Sequence, residues 1–303
     1  MGSVGFPLKS LACILIVVIL EGFCDSHNET WCYDKPSCGP QTWGSLGFCN
    51  GRKQSPINID TKDAVPWAGL GPIRFTNYED RKLVKQLKNK GYQAEVVLHS
   101  GATISSAGLR ATYYLQHFHF HWGTEDSDGS EHTINGQRYS MELHLVHTKN
   151  NMSVEEALKD PEGVAVLALF MKKSRKYAQV NPWNTLANLF KKIPEKGDTW
   201  DLNGEFSVGG LLSTADVSHY YCYKGSLTTP NCEEVVTWII FPDPIEVSEQ
   251  VIKIFSNSLY FTTVKEGRRM RNNFRPLQPL KGRKVYYYKE NISVISCLLH
   301  CFY

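Results

Sequence analysis

The sequence is short of the features that mark membrane-spanning and nucleic-acid-binding proteins. No internal stretch reaches 18 consecutive apolar residues, which excludes a protein with several membrane spans. No block of five like charges occurs and the formal net charge is only +3. The sequence therefore indicates neither a nucleic-acid-binding surface nor an acidic tail. Repeats and low-complexity segments are also lacking. What remains is a globular protein, and 303 residues with 42% hydrophobic content can bury a sizeable core.

The amino terminus has the pattern of a secretory signal peptide. Lys9 precedes an apolar run from Leu11 to Leu20, and Cys24 and Ser26 follow as small residues near a cleavage site. The apolar run is too short to span a bilayer as a helix without its flanks. We therefore expect residues 1–24 to be removed during export, with an uncleaved anchor as the alternative.

Export changes how the nine cysteines are interpreted. No CxxC pair occurs, which argues against a zinc ribbon or a thioredoxin-like site. Outside the signal and the carboxyl-terminal tail, the cysteines are Cys32, Cys38, Cys49, Cys222 and Cys232. In an oxidising compartment they are expected to form two bridges with one cysteine left over. Three glycosylation sequons agree with secretion, at Asn28, Asn151 and Asn291.

Hydrophobic periodicity predicts strands as the main secondary structure. Strands are expected at residues 95–98, 114–122, 141–147, 164–170 and 235–241. Helical signals are fewer, at residues 151–158 with Ser153 as the cap and Glu156 at its third position, 182–192 and 248–259. The pattern predicts a mainly β (α+β) protein in a single domain that spans residues 30–282.

Histidines recur at alternate positions in the segment 117–122, which reads His-Phe-His-Phe-His-Trp. On a strand, His117, His119 and His121 share one face while the phenylalanines point to the other. A lone strand histidine is usually structural. Two histidines at i and i+2 can instead converge on one tetrahedral metal ion when a later strand supplies a third ligand.

The third ligand is expected from the segment 141–147. His144 shares its strand face with Glu142 and Val146, whereas His147 falls on the opposite face and is expected to be structural. Three imidazoles without a thiolate suit zinc. They leave a fourth position open for a water whose pKa the ion lowers toward neutrality.

Six motifs, in order along the chain, resemble those of the α-class carbonic anhydrases. They are QSPINI at 54–59, HFHWG at 119–123, GSEHT at 129–133, ELHLVH at 142–147, GSLTTP at 225–230 and RPLQP at 275–279. As a set they are highly specific, and the resemblance runs from about Trp43 to Leu280. It implies a large, mostly antiparallel twisted central sheet with a few short surface helices. It also implies reversible hydration of carbon dioxide to bicarbonate and a proton by attack of zinc-bound hydroxide.

The resemblance assigns roles residue by residue. It implies His119 and His121 as the first two zinc ligands and leaves His117 outside the ligand set. Thr228 matches the threonine whose hydroxyl accepts from the hydroxide and donates to a buried glutamate, here Glu131. Glu142 matches the carboxylate that accepts from the His144 ring. The implied carbon dioxide pocket consists of Val146, Val166, Leu227, Thr229, Val236 and Trp238. Anion and sulfonamide inhibitors are further partners that the resemblance implies.

Two departures from the family pattern concern proton transfer. The fastest members carry a shuttle histidine where this chain has Tyr92, and tyrosine, with an ordinary pKa of about 10, is a poor relay at neutral pH. We expect slower proton export, relieved by small buffers. His117 replaces the usual glutamine that accepts from the first zinc histidine. It is expected to accept in the same way, or alternatively to hold a water chain or act as a relay. Glu95 adds a negative charge near the rim.

The remaining implications concern the branch of the family. Bridges Cys32–Cys38 and Cys49–Cys232 resemble those of the extracellular, membrane-associated (type IV-like) members, which leaves Cys222 unpaired. A lipid-anchor signal in the tail at 283–303 is short and interrupted by His300, so a secreted and a lipid-anchored form both stay open. The alternative function is a non-catalytic, carbonic-anhydrase-like extracellular binding module.

Overall fold

The computed structural model describes Met1 and residues 31–175 and 181–290. In these residues the chain forms β1 (Asn58–Ile59), β2 (Val65–Pro66), β3 (Arg74–Thr76), β4 (Val84–Asn89), β5 (Ala94–Leu98), β6 (Thr103–Ser105), β7 (Tyr113–Trp122), β8 (Thr133–Ile134), β9 (Met141–Lys149), β10 (Val164–Ser174), β11 (Thr199–Asp201), β12 (His219–Gly225), β13 (Val236–Ser248) and β14 (Tyr286–Lys289). The helices are α1 (Val154–Ala157), α2 (Pro182–Phe190), α3 (Val208–Leu212) and α4 (Glu249–Ser258). Short 3₁₀ turns lie at Pro40–Ser45, Ala68–Leu70 and Arg81–Leu83.

Twelve of the strands form one large sheet, in the order β11-β4-β5-β7-β9-β10-β13-β12-β14-β2 with β3 and β6 beside β7. Most neighbouring strands are antiparallel, but β10 with β13 and β14 with β2 are parallel. The short strands β1 and β8 form a separate parallel pair. The expected mainly β architecture is confirmed, as a mixed sheet with few and short helices. The described residues from Trp31 onward belong to one compact unit.

The sheet carries apolar residues on both faces. Phe120 of β7 belongs to the larger core, where its ring centroid lies 5.8 Å from that of Phe190 in α2 and 4.9 Å from that of Phe255 in α4. Val146 and Trp238 belong to a second apolar cluster. Because side chains alternate along a strand, the phenylalanines of β7 face the helices and its histidines face the other side.

The expected helices are confirmed, and their caps explain where they begin. At α1, Ser153 and Glu156 form the expected capping box, in which each side chain bonds the other's backbone N–H. Pro182 opens α2, and the Ser248 hydroxyl caps α4. Helix α3 was not expected, because two of its five residues are glycines, which are poor helix formers.

All five expected strands form. Each overlaps one observed strand, and these are β5, β7, β9, β10 and β13. Strand β13 continues through two prolines to Ser248, beyond the end expected at residue 241. Strand β14 pairs with β12, so the sheet extends beyond residue 282, where the domain was expected to end. The boundary at 282 was wrong because the three tyrosines of β14 complete this part of the sheet.

Both expected disulfides are present, Cys32–Cys38 and Cys49–Cys232. Cys222 is unpaired and buried, and burial raises the pKa of its thiol to about 12. The second bridge packs with Trp43 and ties the segment before β1 to the loop before β13.

Several expectations concern residues that the structure does not describe. The signal peptide, Asn28, Asn291 and the tail after residue 290 all lie outside the described ranges. Asn151 is described and exposed, and its glycosylation stays a prediction. Within the described residues, none of the helices has the length and apolar character needed to cross a membrane.

Candidate metal centre and active-site cavity

The three expected ligand histidines meet at the centre of the sheet. His119 on β7 lies directly opposite His144 on β9, and His121 lies opposite Glu142. The ring centroid of His144 is 5.3 Å from that of His119 and 4.6 Å from that of His121. One ligating nitrogen from each of the three rings lies within 4.8 Å of the other two. The antiparallel register therefore converts two sequence motifs into one three-histidine cluster.

Burial keeps His119 and His121 in the form that binds a metal. His119 is 9% exposed, and His121 and His144 are 1% exposed. Burial lowers the pKa of His119 well below its ordinary value and also lowers that of His121. Only the neutral ring has a lone pair to donate to a cation.

Two of the rings are held by a hydrogen bond at one nitrogen. His121 Nδ1 donates to the backbone carbonyl of Asn273 at 2.7 Å, and His144 Nε2 donates to Glu142 Oε1 at 2.6 Å. His121 Nε2 is buried without a hydrogen-bond partner among the described residues. An orphaned imidazole nitrogen beside two other imidazoles is a donor set that fits zinc.

A buried chain of hydrogen bonds holds Glu142 in place. Its Oε1 also accepts from His132 Nδ1 at 2.7 Å, and its Oε2 accepts from the His132 backbone N–H at 2.8 Å. The chain continues from His132 Nε2 to the Tyr223 hydroxyl at 2.7 Å and from there to Ser55 Oγ at 2.7 Å. No role was predicted for His132, although its place beside Glu131 in the GSEHT motif was the available signal.

Glu142 is ionised, and it positions the neighbouring histidine rings. Burial by itself raises the pKa of a carboxyl group, but His132 and His144 more than offset it and hold the pKa of Glu142 well below its ordinary value. His132, Glu142 and His144 also have potential metal-ligating atoms within 4.8 Å of one another. Those atoms are already bonded to each other, so the three-histidine cluster is the better ligand set.

His117 does not have the expected hydrogen-bonding role. Its ring stacks on that of His119, with centroids 5.3 Å apart and an interplanar angle of 25°. Nδ1 of His119 has no hydrogen-bond partner among the described residues. The expectation that His117 accepts from His119 is therefore wrong, because the two rings lie face to face. The side chain of His117 lines the cavity instead.

Glu131 is buried beside the cluster with one oxygen unused. Its Oε1 accepts from the Arg275 backbone N–H at 2.7 Å, and its Oε2 lies 3.5 Å from His121 Nε2. Oε2 has no hydrogen-bond partner among the described residues, so the expected bond from Thr228 is not formed at that atom. Thr228 is 6% exposed and lines the cavity next to the cluster.

The cluster opens into a cavity of about 310 Å³. Its apolar wall contains five of the expected pocket residues, namely Val146, Val166, Leu227, Thr229 and Trp238. Val236 does not line it and is 1% exposed within the second apolar cluster. Its partner in the sheet register, Val164, lines the cavity in its place. Residues of the wall that the sequence did not indicate are Thr148, Val154, Leu158 and Val164.

Polar residues also line the cavity, among them Tyr92. Burial and the nearby Glu95 raise the pKa of Tyr92 to about 12. Its ring lies against Trp31, with centroids 4.8 Å apart. Glu95 Oε1 lies 3.8 Å from Lys90 Nζ, and its Oε2 accepts from the Gln93 side chain at 3.0 Å. The charge of Glu95 is therefore partly balanced within the cavity.

His147 lies outside the cavity, as expected. Its Nε2 accepts from the Tyr78 hydroxyl at 2.5 Å, and its Nδ1 donates to the Ala165 carbonyl at 3.2 Å. The ring is fully buried, and burial lowers its pKa to about 3.

Comparison with known proteins gives one consistent family. The model of the eukaryotic-type carbonic anhydrases matches residues 38–289. Carbonic anhydrase 15 of Mus musculus is 33% identical over 302 residues, which cover 93% of this chain and 92% of the relative. Carbonic anhydrase 4 of Oryctolagus cuniculus is 35% identical over 269 residues, covering 84% and 83%. Human carbonic anhydrase 5A, named as mitochondrial, is 35% identical over 271 residues, covering 87% and 86%.

Proposed function

Because the chain belongs to the eukaryotic-type carbonic anhydrase family, we propose that it hydrates carbon dioxide reversibly to bicarbonate and a proton at a zinc ion held by His119, His121 and His144. The observation that carries this proposal is the cluster of three buried imidazoles at the base of a half-apolar cavity. When bound, zinc supplies a Lewis acid that brings the pKa of a water toward neutrality, a property already known for this family.

The protein's own part in the reaction begins with the orientation of the ligands. Glu142 and the Asn273 carbonyl fix the His144 and His121 rings by their outward nitrogens. The negative charge of Glu142 also makes the His144 imidazole a stronger donor. His119 is positioned by its neighbours on the strand and by the stacked ring of His117.

Thr228 and Glu131 are proposed to orient the attacking nucleophile. The buried Oε2 of Glu131 needs a hydrogen-bond donor, and the Thr228 hydroxyl is the donor proposed for it. Once the hydroxyl donates its hydrogen bond to Glu131, its oxygen can only accept. It then selects a nucleophile that presents a hydrogen and directs the lone pair of that nucleophile toward the substrate.

The substrate is proposed to lie against the apolar wall. Carbon dioxide is linear and uncharged, so Val146, Val166 and Trp238 can hold it by contact alone. Proton export follows the attack. With a pKa of about 12, Tyr92 does not take up a proton at neutral pH, so soluble buffer is the proposed acceptor.

The compartment is proposed to be the secretory pathway, ending in a soluble or lipid-anchored extracellular form. The two disulfides support this proposal, because such bridges persist in oxidising compartments. The expected signal at 1–24 and the exposed sequon at Asn151 agree with it. The names of the relatives do not decide the matter, since one of them is mitochondrial.

The test combines metal analysis with a carbon dioxide hydration assay on purified protein. We expect one zinc per chain and rapid hydration, with both lost in His119→Ala. The exposed His99 gives the matched control, because His99→Ala removes a histidine that does not line the cavity. Protein that stays free of metal after reconstitution would contradict the proposal. No observation favours a non-catalytic binding module, since all three histidines, Glu131 and Thr228 are in place.

A further inference from the structure

A second cavity of about 340 Å³ lies beside strands β12, β13 and β14. It shares no lining residue with the active-site cavity. The side chains around it are mainly cationic and aromatic, namely Trp67, Arg110, Glu162, Tyr223, Lys224, Arg283, Lys284 and Tyr286. Its composition differs from the apolar wall of the active site, so it is suited to a different kind of molecule.

One of the four cations is already paired. Lys224 Nζ donates to Glu162 Oε1 at 2.8 Å and to the Thr237 hydroxyl at 2.8 Å. Glu162 is the single carboxylate among the lining residues. Glu162 is therefore hydrogen-bonded to Lys224, and Arg110 acts on it only from beyond ion-pair distance.

Arg283 is surrounded by neutral acceptors. Its guanidinium donates to four backbone carbonyls, those of Gln54 at 2.7 Å, Leu280 at 3.0 Å, Lys224 at 3.1 Å and Pro279 at 3.1 Å. Among the described residues no carboxylate lies within ion-pair distance of it. These bonds fix the guanidinium in one place, but they do not neutralise its charge. Glu234 acts on the guanidinium from beyond that distance, so a fixed, half-buried positive charge without a contacting carboxylate remains to attract an anion.

Arg110 and Lys284 add two more cations at the same cavity. Both are exposed, and within the described part of the chain neither makes a hydrogen bond or an ion pair. Arg110, Arg283 and Lys284 therefore place three positive charges at one cavity, and among the described residues no carboxylate lies within ion-pair distance of any of them. Like charges held together repel, and the arrangement is relieved when an anion binds between them.

The cavity also offers aromatic surface. Trp67 is 42% exposed, which is unusual for a residue of its size, and its ring centroid lies 5.1 Å from that of Tyr286. The Arg283 guanidinium lies over the Tyr223 ring at 5.5 Å. Aromatic faces next to cations form a suitable surface for a planar ring that carries a negative group.

We propose that this second cavity binds a small aromatic anion, a planar ring that carries a carboxylate or phosphate group. Arg110, Arg283 and Lys284 hold the anionic group, and Trp67 and Tyr286 contact the ring. The two cavities have no lining residue in common, although Tyr223 of this one also belongs to the hydrogen-bond chain behind Glu142.

Calorimetric titration of the zinc-loaded protein with phenyl phosphate tests the proposal. Phenyl phosphate is expected to bind more tightly than either inorganic phosphate or phenol, because only the complete molecule uses both halves of the cavity. The double variant Arg110→Ala with Lys284→Ala is expected to raise its Kd by about tenfold. The matched control removes the same charge elsewhere, by Lys35→Ala with Lys85→Ala, and should change the Kd less than about twofold.

Further arms of the experiment separate this site from the metal centre and from general surface charge. Trp67→Leu should weaken phenyl phosphate and leave inorganic phosphate unchanged, and the Arg110/Lys284 variant should keep full hydration activity. Equal weakening by both double variants would mean that only net charge matters and would overturn the proposal. So would absence of binding, or binding that neither double variant changes, since the ligand would then lie at the zinc site or elsewhere.

Discussion

The ring of His117 stacks on the ring of His119, with the two centroids 5.3 Å apart. This contact leaves Nδ1 of His119 without a hydrogen bond in the described structure, whereas the outward nitrogens of His121 and His144 are both bonded. Outward hydrogen bonds fix ring orientation and raise ligand basicity. His119 is therefore the least constrained of the three ligands.

Replacement of His117 by glutamine is expected to tighten metal binding. A glutamine carbonyl can accept from His119 Nδ1, and an outward hydrogen bond of this kind is typically worth about tenfold or more in metal affinity. Competition with a soluble chelator measures the change. His117→Leu is the control, because it removes the stacked ring without adding an acceptor. Equal affinities for the glutamine and leucine variants would show that the missing hydrogen bond is unimportant.

Loss of Glu142 is expected to weaken both zinc binding and folding. The carboxylate accepts twice from His132 and once from His144, so Glu142→Ala leaves three buried donors unpaired. We expect metal affinity to fall about 10- to 100-fold and the free energy of unfolding of the metal-free protein to fall by about 1–3 kcal/mol. Chelator competition and urea unfolding measure the two effects. Glu155→Gln, at an exposed position on α1, should change neither.

The ligand cluster could be predicted from the sequence because it depends on local alternation. A period of two placed His119 and His121 on one face and separated His144 from His147. What alternation cannot give is the conformation of a side chain within that face. The stacking of His117 on His119 depends on side-chain conformation within one strand. The replacement of Val236 by Val164 at the cavity and the bonding of His132 to Tyr223 depend on contacts between distant segments. The missed strand β14 has the same cause, since it is defined by its partners β12 and β2.

Introduction of histidine at position 92 is expected to speed proton export. Tyr92 has a pKa of about 12 and cannot accept a proton near neutrality, whereas an ordinary histidine has a pKa of about 6.5. Stopped-flow hydration assays should show that Tyr92→His raises turnover at low buffer concentration and has little effect at high buffer concentration. Tyr92→Phe should leave both rates unchanged if the hydroxyl has no role in transfer. A slower phenylalanine variant would instead make Tyr92 a participant.

The two disulfides are expected to differ in their contribution to stability. Cys49 and Cys232 are 183 residues apart, whereas Cys32 and Cys38 are separated by 6. Loop-closure entropy gives upper figures of about 5 kcal/mol for the long loop and about 2 kcal/mol for the short one. Urea unfolding of the two double alanine variants measures the difference. A larger loss for Cys32→Ala with Cys38→Ala would show that local packing, rather than chain entropy, determines the effect.

His147 is expected to make the protein less stable as the pH falls. Its pKa is about 3 in the folded protein because the ring is buried, and about 6.5 in the unfolded chain. Between these values the unfolded chain binds a proton that the folded protein does not. The stabilising contribution is therefore fully present above about pH 6.5 and is lost as the pH falls toward 3, at about 1.4 kcal/mol per pH unit.

The contribution of His147 can be isolated with a side chain that does not titrate. His147→Gln lacks this contribution, so its loss of unfolding free energy between about pH 7 and about pH 5 should be smaller than that of the unaltered protein by about 2 kcal/mol. Protonation of the ligand histidines affects both proteins alike and cancels in the comparison. His99→Gln, at an exposed position, should keep the original pH dependence. Parallel pH curves for the unaltered protein and His147→Gln would mean that Tyr78 and Ala165 accommodate a charged ring, contrary to the burial of this site.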